Sequence, residues 1–244
     1  MKARVRVDQL IGTLLLAAAF AVMGWQLVQV YLSGMRHVTH GLLLAAAVCA
    51  PLALGAWLYT RALDRPQARR TVRALFFALF VFYAAVLLGA LIVSRIDYRG
   101  FAQTRAFYWE NIDRMTNFIP FETVRLYLNA IKYNYIGMEI PLSNLAGNAM
   151  LFMPMAVFLP CLFRPMRSLW RFVLTMLLLL VAVEALQLLF ACGSCDVDDV
   201  LLNLAGTLIV FGILKIPLVR RPLERLYLMP APDSAEGAPP DATA

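Results

Sequence analysis

The sequence predicts an all-α fold, a polytopic transmembrane bundle of about six helices with an interfacial loop between the third and fourth. Three observations predict it. Hydrophobic residues make up 61% of the 244 and charged residues only 15%, where a soluble domain carries about a quarter charged residues. The apolar residues fall in long blocks, and a run of about 18 uncharged residues can cross a bilayer as a helix. The basic residues alternate between successive connections.

Six blocks qualify, at residues 10–32, 41–60, 72–94, 144–163, 170–190 and 197–218. At about 1.5 Å per residue, about twenty residues span the hydrocarbon layer. The first block follows Lys2, Arg4 and Arg6 and contains small residues, as a cleaved signal does. It runs on through residues 20–32 without a polar cleavage region, so it is expected to stay as a helix. Blocks one and two form an N-terminal helix pair over residues 1–70. His37 and His40, between them, read as a solvated turn, since no Cys or carboxylate stands beside them. The third block carries Phe76, Phe77, Phe80, Phe82 and Tyr83, which in lipid are ordinary packing surface.

Residues 95–143 mix Tyr98, Phe101, Phe107, Tyr108 and Trp109 with charges, and Pro120 interrupts regular structure. Aromatic residues beside charges suit the headgroup zone, so short interfacial helices over the bundle are expected. The tail at 228–244 is rich in Pro and Ala, without apolar periodicity, and reads as disordered. There is no internal repeat and no Walker, Rossmann or zinc-protease motif, so no cofactor and no metal are expected.

The net charge of +7 raises nucleic acid as a partner, but its distribution excludes it. Most of the 22 basic residues precede block one, separate blocks two and three, separate four and five, or follow six. That is the positive-inside pattern. It places both termini in the cytoplasm and makes membrane lipids the expected partners.

Polar residues inside a bilayer are costly and read by default as functional. Asn144 and Asn148 share one face of the fourth block, with Gly147 beside them to admit a neighbouring helix. Glu184 and Gln187 lie on the fifth. Asp199 and Asn203 share a face of the sixth, with Gly206 continuing their stripe. The alternating topology puts all of them within about 10 Å of the outer surface, which implies an outward polar pocket. Interhelical bonding is the plainer reading of the Asn pair. Asp196 and Asp198 are also candidates, with capping of the last helix as their plainer role. No Lys or Arg stands near Glu184 or Asp199 on these helix ends, so a proton, cation or ligand must neutralise them.

Cys192 and Cys195 flank Gly193 and Ser194 in the outer turn before the last helix. A local disulfide and two reduced thiols are both compatible with that spacing and compartment, with redox catalysis as a third possibility.

Three segments resemble the VanZ-like membrane family: Asn117-Phe118-Ile119-Pro120-Phe121; Asn144-Leu145-Ala146-Gly147-Asn148, continuing to Phe152-Met153-Pro154; and Glu184-Ala185-Leu186-Gln187, leading to Asp196-Val197-Asp198-Asp199 with Asn203 and Gly206. The resemblance covers residues 75–216. Many relatives carry an Arg in the turn before the Asp cluster, where this chain has Cys-Gly-Ser-Cys. The family takes its name from an accessory protein of glycopeptide resistance, associated with reduced teicoplanin susceptibility. The resemblance implies a multi-pass bacterial cell-membrane protein acting on or near the envelope, and supplies no definite reaction.

Three functions compete. The first is a non-enzymatic module whose pocket binds an envelope amphiphile, lipid headgroup or glycopeptide. The second is a membrane-embedded enzyme with Glu184 or Asp199 as general base. The third is a proton- or cation-coupled transporter. The pocket has no His and no evident nucleophile. The inner halves of the last three blocks are nearly all apolar, which favours one-sided binding over a pathway.

Overall fold

Two glycines set how the first helices meet. Helices α1 (Lys2–Ser33) and α2 (Gly41–Thr60) pack along each other. A Cβ on Gly12 would come within 2.8 Å of the Tyr59 nitrogen, and one on Gly55 within 3.0 Å of the Gly12 carbonyl oxygen. Close backbone approach at small residues is how helices associate in lipid, where apolar burial supplies no drive. The structure, a computed structural model, describes residues 2–33, 41–61, 63–133 and 137–229. The turn with His37 and His40 and the tail beyond residue 229 lie outside the described residues.

Helix α3 (Arg65–Leu91) starts where Asp64 caps it, its carboxylate accepting from the Gln67 N–H at 2.8 Å. At its far end the chain tightens into a 3₁₀ turn at Val93–Arg95. Exposed Asp97 closes the following bend. The N–H groups of Gly100 and Arg99 hold its carboxyl below the usual carboxylate range.

The segment after α3 forms short helices, as its aromatic and charged mixture predicts. They are α4 (Phe101–Glu110), α5 (Ile112–Met115) and α6 (Glu122–Tyr133). Between α5 and α6, β1 (Thr116–Asn117) pairs in parallel with β2 (Cys195–Asp196), matching Thr116 with Cys195 and Asn117 with Asp196. That small sheet ties the segment to the start of the last span.

The fourth block is broken rather than continuous. Helix α7 (Glu139–Leu151) gives way at Phe152 to α8 (Met153–Leu162). Pro154 has no N–H and its ring disfavours an unbroken helix. The Met155 N–H bonds to Phe152 O, which leaves the Leu151 carbonyl without its usual helical partner. The Tyr83 hydroxyl donates to that carbonyl at 2.5 Å. Tyr83 is thus more than packing surface, whereas Phe76 and Phe80 do pack on Phe158, with ring centroids 5.0 and 5.6 Å apart.

Helix α9 (Leu169–Leu189) ends in a Schellman turn: Ala191 takes φ 51°, and the Cys192 N–H returns to the Gln187 carbonyl. Helix α10 (Val197–Ile213) follows, and a bend of 76° separates it from α11 (Pro217–Arg225). The sixth block is therefore not one straight helix through Leu218, because the chain turns before Pro217.

Among the described residues, four stretches are long and apolar enough to cross a membrane, with α7 and α8 together making one of them at Glu139–Leu162, or five if α10 and α11 also make one span. The expected count of about six is not confirmed among the described residues, where the apolar part of α2 covers only Val48–Thr60. Large apolar side chains such as Leu14, Trp25, Leu178 and Val181 lie on the surface, as lipid-facing residues would. The core runs between α3, α8, α9 and α10, where Phe172 stacks on Phe211 at 4.6 Å and Met176, Leu180, Phe152 and Val200 belong to the same buried cluster.

Candidate functional site

The start of α10 is built from acids. Asp196 is its N-cap and accepts from the Asp198 N–H at 2.9 Å. The same carboxylate accepts from Asn117 Nδ2 at 3.0 Å and from the Thr123 hydroxyl at 2.6 Å. Asp198 is 0% exposed and faces the other way. Its two oxygens accept from the Phe121 N–H at 2.5 Å and the Val124 N–H at 3.0 Å. Those N–H groups belong to the start of α6 and have no partner within their own helix, so Asp198 caps a helix more than 70 residues away in sequence. Of the two acids expected to cap the last helix, Asp196 caps it and Asp198 caps α6.

A cavity of about 90 Å³ lies beside this frame, lined by Asn148, Glu184, Gln187, Asp199, Asn203, Arg95 and Ser194, with apolar side chains between them. Glu184, 8% exposed, accepts from the Asp196 N–H at 3.1 Å. Gln187 Nε2 donates to the Leu91 carbonyl at 3.3 Å, where α3 gives way to its 3₁₀ turn. Asn148 Nδ2 donates to Asp199 Oδ1 and so links α7 to α10. Asn203 Nδ2 donates to the Asp199 carbonyl at 2.8 Å. Its Oδ1 is buried and has no partner among the described residues.

Five of the eight residues proposed from sequence line one cavity. Asp196 and Asp198 form its frame instead. Asn144 is exposed, and its amide donates to the Ile140 carbonyl of its own helix. Gly147 has open space around it, so it does not admit a neighbouring helix. Gly206 does: a Cβ there would run into the Ala149 carbonyl of α7.

Arg95 overturns the expectation that no cation stands near the acids. It comes from the end of α3, not from the turn before the Asp cluster or from the helices that carry the acids. Asn117 and Thr123 were also missed as partners of Asp196. The one signal for Arg95 was its position just beyond the third apolar block.

Cys192 and Cys195 are free cysteines here. Burial pushes both thiols above their ordinary range, and for Cys195 the carboxylates of Glu184 and Asp196 add to it.

A second cavity, of about 490 Å³, lies at the opposite end of α3 and is lined by Arg65, Arg69, Arg70, Arg73 and Tyr227. The bundle is thus acidic and polar at one end of α3 and basic at the other.

These features define a class: a helical membrane protein with a small polar cavity at one end of its bundle. The model of the VanZ/LLP1 family matches residues 75–219, more than half of the chain. The chain belongs to that family. No curated protein and no solved structure matches it.

Proposed function

We propose that the cavity between α3, α7, α9 and α10 binds the headgroup of an envelope amphiphile in the bacterial cell membrane. The observation that supports this most is convergence. Asn148, Glu184, Gln187, Asp199 and Asn203 come from three helices and meet Arg95 around one small space. Polar groups held together at the end of apolar spans are expensive unless used.

The cavity opens to the outer leaflet in this reading. The Arg65, Arg69, Arg70 and Arg73 cluster at the other end of α3 suits the cytoplasmic face, and so do both termini. An amphiphile held here would connect the protein to glycopeptide susceptibility, because such drugs act on the same outer surface. Orientation has a direct test. In a variant without native cysteines, Arg69→Cys should react with a membrane-impermeant maleimide only after cells are opened. Labelling in intact cells would invert the topology and move the cavity to the cytoplasmic side.

Binding has its own test. Glu184→Gln and Asp199→Asn should each weaken lipid retention about tenfold or more, in line with the ~1.5–3 kcal/mol of a hydrogen bond to a charged group. The double variant should lose less than the two losses combined, since both acids line one cavity. Purified variants with matched unfolding temperatures are compared by native mass spectrometry of bound lipid. Equal retention in all three would leave these groups as interhelical bonding only.

A further inference from the structure

Asn203 presents an unpaired polar atom at the cavity. It is 4% exposed and lines the cavity, and its Oδ1 has no partner among the described residues. The amide cannot be turned round, because its Nδ2 is committed to the Asp199 carbonyl and a flip would set oxygen against oxygen. The unsatisfied atom is therefore an acceptor, and what it lacks is an N–H or O–H donor.

The acids add acceptors around the same space. Glu184 uses Oε2 for the Asp196 N–H, and Asp199 uses Oδ1 for Asn148. No hydrogen bond among the described residues reaches the second oxygen of either. Two carboxylates face one guanidinium, Arg95, and Asp196 and Asp198 stand behind them with their oxygens already occupied. The cavity thus holds more unpaired acceptor oxygens than donors that reach them. Arg95 is exposed, which makes it a rim residue and leaves it open to an anion outside. At about 90 Å³ the space is small and holds more than one water, enough for an ammonium and its adjoining methylenes.

We infer that the cavity receives the primary ammonium of a zwitterionic headgroup, with the phosphate of that headgroup meeting Arg95 at the rim. This rests on the headgroup reading above and narrows it to one chemistry. A primary ammonium brings three N–H donors to those oxygens and a positive charge to the acids, while the phosphate takes up the charge of Arg95. A quaternary ammonium brings the charge without a donor and leaves Asn203 Oδ1 unpaired, which is the expensive state for a buried polar atom. A phosphate beside a guanidinium forms two parallel hydrogen bonds.

The test uses the full-length protein in nonionic detergent, titrated with short-chain phosphatidylethanolamine, its N-methyl and N,N-dimethyl forms, phosphatidylcholine and phosphatidylglycerol. Bound lipid is read by native mass spectrometry. Phosphatidylethanolamine is expected to bind about ten- to a hundredfold more tightly than phosphatidylcholine, with affinity falling at each methylation. Asn203→Leu should collapse that ratio. Arg95→Ala, at an exposed position that tolerates truncation, should weaken both lipids by a similar factor and keep the ratio. Free phosphoethanolamine is added as a competitor. Displacement at matched concentration supports the ammonium chemistry with a soluble source, and no displacement supports it with a lipid source. Equal binding of the ethanolamine and choline lipids, or tighter binding of phosphatidylglycerol, overturns the inference. If that equal binding still weakens in Glu184→Gln and Asp199→Asn, the headgroup reading survives without it. If the unaltered protein retains none of the lipids, both fall.

Discussion

Asp198→Ala is expected to destabilise the protein by about 2–6 kcal/mol, since each of two buried N–H groups left without an acceptor costs about 1–3 kcal/mol. The carboxylate is fully buried, and its two oxygens serve two backbone N–H groups, those of Phe121 and Val124. Alanine strands both donors away from water and leaves a void. The damage should be local first. Phe121 sits at φ 64°, a backbone region that costs a bulky residue about 1–2 kcal/mol, and its bond to Asp198 helps hold it there. Without that bond the turn before α6 should relax and α6 should detach from α10. Limited proteolysis should then cut within residues 116–133 well below the global unfolding temperature. Asp198→Asn should be intermediate, because an amide offers an acceptor to one N–H and sets a donor against the other. An unfolding temperature and a cleavage pattern unchanged by Asp198→Ala would show that the segment is held by other contacts.

Gly206→Ala should be nearly as damaging for a different reason. The added methyl would collide with the Ala149 carbonyl, which is main chain and cannot rotate away as a flexible side chain would. Helices α7 and α10 must separate. Overpacking of this kind costs about 1–3 kcal/mol, and more where the obstacle is backbone. Separation should also pull Asn148 from Asp199, so lipid retention should fall along with stability. Gly147→Ala is the matched control. It lies one turn along α7 from Leu151, with nothing within 4 Å of its Cβ position, and Ala is the better helix former. Stability unchanged or slightly raised there, with a large loss at Gly206, is the expected pair. Equal effects at both glycines would mean that α7 and α10 meet in another register.

Much of the site could be read from the chain. Glu184, Gln187, Asp199 and Asn203 stood out because a carboxylate or amide inside an apolar run is conspicuous against its neighbours. Asn148 followed from the same contrast, but so did Asn144, four residues earlier. Periodicity sets both on one face and cannot say how far along α7 the contact with α10 extends. Asn144 falls beyond it and bonds to its own helix. Gly147 and Gly206 were likewise indistinguishable as small residues, and only the helix crossing selects Gly206.

Helical class, the apolar character of the helices and the acids of the last helix were determined by sequence alone, because each depends on residues within a few turns of one another. The break at Phe152 was half legible in Pro154, whose missing N–H acts locally, but the Tyr83 hydroxyl that satisfies the freed carbonyl comes from 68 residues away. The tertiary structure alone decided which acids serve as frame and which line the cavity. Asp196 and Asp198 precede Asp199 almost directly, and nothing local separates their roles. The separation comes from the parallel pairing of Asn117 with Asp196, which delivers the Thr123 hydroxyl and the N–H groups of α6 to the first two acids and none to the third. Arg95 was decided in the same way: a charge acts through space, and its distance in sequence from Glu184 and Asp199 says nothing about its distance in the folded bundle.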